Sequence, residues 1–560
     1  MSDESKPHNP AVHAKRNDTP AAPPRPPAHF AGRKDELDKL IQALVAGESV
    51  AVTALQGMGG IGKTALAQKV AERLSPHFPG GVLWWTLGPS ADVYTALDVW
   101  ARHAEPRSDL SRLPDAEARA NAVRAMLGRL GRLCAILDDV WDEAAARVLL
   151  GAIPPGCPVL LTTRNADLAE NLRCRVERLG VLSADESVQL LANLLGPLGA
   201  HEPAAREIAT LTDGLPLALE IIAGLADSPA DLPVLAQKLK QQKPLDILKL
   251  GSDAGREHSV EACFALSYDA LDVETQRCFR ALGVFAPAAF DEAAVLAVWG
   301  DSPSSPRPPS PNLGEGGARP SIPDERAIGE GSAHPPLPVG EGPGVRENPQ
   351  SFLKTLTRRA LLTKTGDGAY TQHTLLRTYA LALLERAGEH TEYAARHAEH
   401  YRRFAEEKHW REVEGAFEQI KWGWRWVQQH ARDRLVDYAL AVDGFLRTRG
   451  RNTELLEWLN TALAQAREAK RRKDEGALLN NIGAVYDALG QKGKALVYYE
   501  QALDIRREVG DRSGEGTTLN NIGAVYDALG QKGKALVYYE QALEIHWEVG
   551  NRPMEGTTLN

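Results

Sequence analysis

The sequence predicts a multidomain chain: a parallel α/β sheet domain, then helical modules, then an all-α repeat solenoid. Three observations predict it. Short apolar runs alternate with helical patterns over residues 29–175, as expected of parallel strands joined by crossover helices. From about residue 176 the apolar positions change to helical spacing. Near the C-terminus, residues 479–503, "LNNIGAVYDALGQKGKALVYYEQAL", recur letter for letter at 519–543, an offset of 40 residues. A fixed period of that size marks a solenoid.

The bulk numbers bound the function classes. A chain of 560 residues exceeds one hydrophobic core. Its 43% hydrophobic and 25% charged content is that of an ordinary globular protein. A formal charge of −9 disfavours loose attraction to DNA or anionic lipid. No apolar run is long enough to span a bilayer, and the first 28 residues lack a signal-peptide core, so the expected location is cytoplasmic. Five scattered cysteines without a C-x-x-C pair are read as small buried hydrophobes rather than as metal ligands or disulfides.

Taken in order, residues 1–28 are Pro-rich and polar and are expected to be a disordered tail. In the sheet domain, the runs "ESVAVTAL", "GVLWWTL", "LCAILDD" and "PVLLTT" read as strands buried on both faces. A helical domain is expected over 176–250, where Ser183 and Glu186 form a capping box. A winged-helix domain is expected over 255–387, with a Pro/Gly-rich, disordered insert at 301–349 and a hairpin around the Gly366-Asp367-Gly368 turn. A helical linker covers 388–440, and its Trp422, Trp424 and Trp426 cannot all share one helix face, so they are read as core packing.

The repeats then occupy 441–560. They resemble the tetratricopeptide repeat, lengthened from its usual length of about 34 by extra turns of the second helix, with Arg507 where Pro is common. Shifting the register by 40 places Gly450 under Gly490 and Ala462 under Ala502, so a degenerate earlier copy is expected over 441–480. The final "TTLN" repeats residues 517–520, and the expectation is a further repeat begun and cut short, with no effector domain ahead of Phe30.

One stretch carries the chemistry. "GMGGIGKT", residues 57–64, fits G-x-x-x-x-G-K-[ST] between a predicted strand and a predicted helix. Gly57, Gly59, Gly60 and Gly62 let backbone N–H groups converge on phosphate oxygens where a Cβ would block approach. The helix N-terminus adds its positive end. Ile61 and Ala65 complete the loop, Lys63 offers a charge to the β- and γ-phosphates, and the Thr64 hydroxyl offers a ligand to Mg²⁺. Within "LCAILDDVWD", Asp138 would hold Mg²⁺ through water and Asp139 would orient or deprotonate an attacking water. Together these residues predict a P-loop sheet that holds a nucleoside triphosphate with Mg²⁺.

With these motifs in order, the sequence resembles the NB-ARC class of STAND nucleotide-switch ATPases across about residues 30–387, omitting the insert. "FAGRKDEL" looks like that family's opening motif, which implies that Phe30 and Arg33 lie near the adenine. "LLTTRN" looks like its sensor strand, implying that Arg164 faces the γ-phosphate. "GLPLALE" is similar to its helical-domain signature, implying that Pro216 packs against adenine and ribose. "TQHTLLRTYA" resembles the winged-helix segment whose histidine, here His373, contacts the β-phosphate of ADP; Thr374 stands where plant members commonly have Asp.

The resemblance implies an ADP-bound closed form, an ATP-bound open form that self-associates, and at most slow hydrolysis, with an unidentified protein or peptide sensed by the repeats. Two other readings remain open at this point. One is a repeat-based adaptor whose nucleotide is a static structural ligand. The other is a DNA-binding regulator, for which the winged-helix segment offers only Arg377 and Arg386 as well-placed cations.

Overall fold

The computed structural model describes residues 21–54, 60–88, 92–241, 254–299, 349–365 and 368–550. Among them, five parallel strands form one sheet: β1 (Val50–Ala54), β2 (Val82–Gly88), β3 (Cys134–Val140), β4 (Val159–Thr163) and β5 (Arg175–Leu179). Their order is β2-β3-β4-β1-β5. Around them run α1 (Lys34–Ala46), α2 (Lys63–Leu74), α3 (Val93–Ala104), α4 (Ala116–Leu127), α5 (Glu143–Gly151) and α6 (Ala166–Asn171).

Strand alternation explains why helices cover both faces. Val50, Val52, Cys134, Ile136 and Leu160 pack with α1 and α2, while Ala51, Ala135, Leu137, Val159 and Leu161 pack with α3, α4 and α5. Each strand thus buries successive side chains on opposite sides, the two-sided burial that parallel sheets require.

Two boundaries differ from expectation. β5 belongs to the sheet, paired with β1 from Val50↔Arg175 to Ala54↔Leu179, although the helical domain was expected to begin at 176. As an edge strand it keeps charged Arg175, Glu177 and Arg178, which erase the continuous apolar run of a central strand. At the opposite edge, Ala21 is fully buried and its carbonyl accepts from Trp84 N at 2.9 Å. The expected tail therefore has one residue seated on β2, and residues 1–20 lie outside those described.

Helices follow. The first group is α7 (Ala184–Leu195), α8 (Glu202–Leu211), α9 (Pro216–Ala223) and α10 (Leu232–Gln241). The second is α11 (Ala254–Asp269), α12 (Val273–Ala281), α13 (Glu292–Trp299), α14 (Pro349–Arg358) and α15 (Thr374–Arg386). Before α15, β6 (Thr363–Lys364) and β7 (Tyr370–Thr371) pair antiparallel. Of the disordered insert expected at 301–349, residues 301–348 fall outside the described residues, and Pro349 instead opens α14.

Then come α16 (His390–Glu407), α17 (Trp410–Gly415), α18 (Phe417–His430), α19 (Leu435–Thr448) and α20 (Asn452–Glu468). The last four are α21 (Arg472–Ala488), α22 (Lys492–Glu508), α23 (Arg512–Ala528) and α24 (Lys532–Glu548). The starts and ends of α20, α22 and α24 are offset by the sequence period. The degenerate copy begins earlier than expected, since α19 starts at Leu435 rather than near 441. The repeat expected beyond 550 lies outside the described residues.

Of the three α18 tryptophans expected in the core, Trp424 is buried there, Trp426 packs partly buried against it, and Trp422 is half-buried outside it. Trp424 stacks on Trp458 at 4.5 Å, Trp422 lies under the Arg377 guanidinium at 5.1 Å, and Trp426 stacks on His430. Buried Gln419, also on α18, bonds the backbone of Ala286, Ala288 and Ala289, which ties the linker to the 254–386 module. No described helix is long and apolar enough to cross a membrane.

Candidate functional site

Three loops meet at the carboxyl ends of the strands, where open parallel sheets bind ligands. β1 leads toward the glycine loop, β3 carries the two aspartates just before its last residue, and β4 runs into Arg164. Gly57 and Gly59 lie outside the described residues. Gly60 and Gly62 hold φ of 79° and 91°, left-handed values that a side chain would strain. Gly62 is the N-cap of α2, which places Lys63 and Thr64 in its first turn.

Lys63 is 8% exposed. Burial, followed by the nearby charge of Arg164, holds its ammonium down to about 8, against the pull of Asp139 and Asp138. Asp138 is 2% exposed; its carboxylate accepts from the Thr64 hydroxyl at 3.0 and 3.1 Å and from the Thr162 hydroxyl at 2.6 Å. Burial dominates its titration and pushes it up to about 6.

The aspartates sit on a bulge. Between the pairs Leu137↔Leu161 and Val140↔Thr163, β3 carries one residue more than β4. Asp139 absorbs the irregularity at φ 52°, a left-handed conformation that Asp tolerates. Its N–H is satisfied by Thr162 Oγ1 at 2.8 Å. One threonine thus fixes both acids, and the sequence reading missed it. The available signal was a pair of threonines closing a strand otherwise apolar on both faces, where a buried hydroxyl needs partners.

Arg164 lies 4.9 Å over the Trp141 ring. It and Lys63 act on His373, which arrives from a different module: burial first, then the charges of Arg164 and Lys63, hold the imidazole down to about 3. His373 caps α15, with Nδ1 accepting from Leu375 N at 3.2 Å. The neutral ring therefore carries its proton on Nε2, which makes that atom a hydrogen-bond donor.

The remaining candidates brace the loop from behind. Arg33 donates to the Ile61 carbonyl at 3.3 Å and pairs with Glu36 at 3.4 Å. Its own N–H donates to Glu186 Oε1 at 2.8 Å. Phe30 packs partly buried against the α1/α2 face of the sheet. Pro216 opens α9, and a Cβ on Gly62 would lie 3.8 Å from its Cγ. Next to it, Leu217 N donates to the Gly60 carbonyl at 3.3 Å. Ala65 follows Thr64 in the first turn of α2.

The structure therefore brings Lys63, Thr64, Asp138, Asp139, Arg164 and His373 to one place and sets Arg33, Ile61 and Pro216 around the loop. Three cationic or cation-capable groups crowd together there: Arg164 disfavours the charge of Lys63, and both disfavour that of His373. Such a cluster fits a polyanion, and the adjoining Thr64 and Asp138 oxygens fit a hard divalent cation.

Residues 33–198 match the NB-ARC domain, and residues 444–508 and 494–546 match the tetratricopeptide repeat. Among curated proteins, the chain is 30% identical over 392 residues to the regulatory protein AfsR of Streptomyces coelicolor, covering 66% of this chain and 33% of that one. To AfsR of Streptomyces griseus it is 34% identical over 278 residues, covering 47% and 27%. The chain thus spans about a third or less of the length of these relatives. The solved structure of a STAND protein with a tetratricopeptide repeat sensor from Pyrococcus horikoshii aligns with 96% of this chain and 86% of that one at 15% identity, with a TM-score of 0.41.

Proposed function

From a chain that carries an NB-ARC domain and tetratricopeptide repeats, we propose a nucleotide-dependent signalling switch. ADP holds it closed, ATP stabilises an open, self-associating form, and a protein or peptide seated on the repeats biases the choice. An NB-ARC domain is a nucleotide-binding module; the exchange of states is the further step.

The observation that carries the reading is the meeting of Lys63 and Arg164 from the sheet domain with His373 from the helical module. A ligand touching all three senses whether the two modules are together. In this reading Lys63 and the glycine-loop amides grip the β- and γ-phosphates. Thr64, and Asp138 through water, would hold Mg²⁺, which would supply charge neutralisation to the phosphates. His373 Nε2 donates to the β-phosphate and Arg164 faces the γ-phosphate. Phe30, Arg33 and Pro216 lie toward the base and ribose. Asp139 orients water for a slow reset.

The position of Arg377 weighs against a DNA-binding role: it stacks on Trp422 and donates to the Phe285 carbonyl at 3.5 Å, so it is engaged in packing.

Lys63→Ala in the full chain tests the reading. Purified wild type should retain ADP or ATP, and the variant should lose it; equal retention removes the glycine loop from the account. Light scattering of wild type with ADP and with a non-hydrolysable ATP analogue should show two sizes. One size under both refutes the switch in favour of a static structural nucleotide.

A further inference from the structure

The turn between α19 and α20, residues 449–451, reads Arg-Gly-Arg. One and two periods later the same turn reads Leu-Gly-Gln, at 489–491 and 529–531. Gly450, Gly490 and Gly530 share left-handed φ values of 62°, 73° and 74°. Arg451, Gln491 and Gln531 each stand at the N-cap of the following helix. The backbone is the ordinary one of the repeat, and the two arginines set this copy apart.

Its surroundings differ as well. A Cβ on Gly490 or Gly530 would meet nothing within 4 Å, whereas on Gly450 it would lie 2.0 Å from the Ser111 carbonyl oxygen of the sheet domain. Arg451, 3% exposed, forks onto Asp92 at 3.0 and 2.6 Å. It also lies beside Glu454 and 4.2 Å over the Phe417 ring. Arg449 reaches Asp98 and, at 2.9 Å, Glu414. Arg119 of α4, fully buried, answers by donating to the carbonyls of Arg449 and Gly450 at 2.8 and 3.0 Å.

This contact bears on the candidate site through one residue. Asp92 caps α3 by accepting from Thr95 N at 3.1 Å while it holds Arg451. It follows β2, so it stands at the carboxyl end of the sheet, and β2 pairs Thr86 with Asp138 of β3. Removing one partner of a buried forked ion pair leaves an uncompensated charge, so docking of the turn depends strongly on both arginines.

We propose that the Arg-Gly-Arg turn is an intramolecular clamp by which the repeat array holds the sheet domain closed and slows nucleotide release. The clamp rests on the switch reading above and names the contact through which the array acts. A ligand of the repeats opens the chain to the extent that it disfavours the docked turn.

Full-length R449L/R451Q tests the clamp, because it rewrites the turn as the Leu-Gly-Gln with which two other copies already fold. Gly450→Ala and Gly490→Ala form a second, matched pair. Both carry the same left-handed strain, and only the first sets a methyl group against Ser111. Small-angle scattering and amide exchange across α3 read docking without nucleotide, and a chase of bound fluorescent ADP reads release. R449L/R451Q and Gly450→Ala should enlarge the molecule, unprotect the first turn of α3 and speed ADP release by at least about fivefold. Gly490→Ala should match wild type in all three.

Unchanged size and exchange in R449L/R451Q overturn the clamp, and an enlarged molecule with unchanged ADP release overturns its regulatory role. A wild-type chain that holds no ADP sinks the switch reading instead, and scattering and exchange still decide the clamp.

Discussion

Lys63 stands in the first turn of α2, buried, with Arg164 close enough to oppose its charge. Lowering an ammonium from an ordinary 10.5 to about 8 corresponds to about 3 kcal/mol against the charged form in the nucleotide-free protein. The sign follows from proton counting: between pH 8 and 10.5 the unfolded chain binds the proton and the folded one does not. The destabilisation is therefore complete below pH 8 and fades as pH rises toward 10.5. Lys63→Met, with no ammonium to desolvate, should melt a few degrees higher than wild type without nucleotide and show no stabilisation by ADP. Equal melting temperatures would refute the burial account. Because a polyphosphate takes the protonated form, wild-type affinity should be flat up to pH 8 and weaken about tenfold per unit above it, as calorimetry from pH 7 to 9.5 would register.

Among the elements, the capping box of α7 does more than the sequence announced. Glu186 Oε2 accepts from Ser183 N–H and from its hydroxyl, both at 2.8 Å, as the Ser-x-x-Glu spacing implies. Its other oxygen accepts from Arg33 N at 2.8 Å, so one carboxylate starts a helix and holds the chain entering α1. Gly32 fits beneath it because a Cβ there would fall 2.4 Å from Oε1. Glu186→Ala should lower stability by about 1 to 2 kcal/mol, more than Ser183→Ala at about 1 kcal/mol, measured by urea unfolding. Equal losses would mean that the Arg33 contact adds nothing. The cap was legible because it is local. The bond to Arg33 was not, since it joins residues 153 positions apart.

Across the whole molecule, the modules are joined by a few polar residues set in apolar packing. Gln419 ties α18 to the 254–386 module, Arg451 ties α20 to α3, and His373 faces the sheet domain from the start of α15. If His373 donates one hydrogen bond to bound ADP, His373→Ala should speed ADP release by about tenfold, the equivalent of roughly 1.4 kcal/mol, in a stopped-flow chase. An unaltered rate would remove His373 from the contact between modules. In the nucleotide-free protein burial and the neighbouring cations hold the imidazole down to about 3, so the ring that meets ADP between pH 5 and 8 is the neutral one.

The sequence by itself determined the central strands, the glycine loop with its two aspartates, and the repeat period, because each rests on local spacing: two-sided apolar runs, a phosphate-loop pattern, a 40-residue recurrence. It could not reveal β5, whose charged edge resembles surface helix, or the role of Thr162, whose partners lie on a neighbouring strand. Only the tertiary structure decided which copy of the repeat turn meets the sheet domain. An Arg-Gly-Arg written in sequence is three surface residues until Asp92 and Asp98 are brought against it from more than 350 positions away. Desolvation then makes that pairing specific.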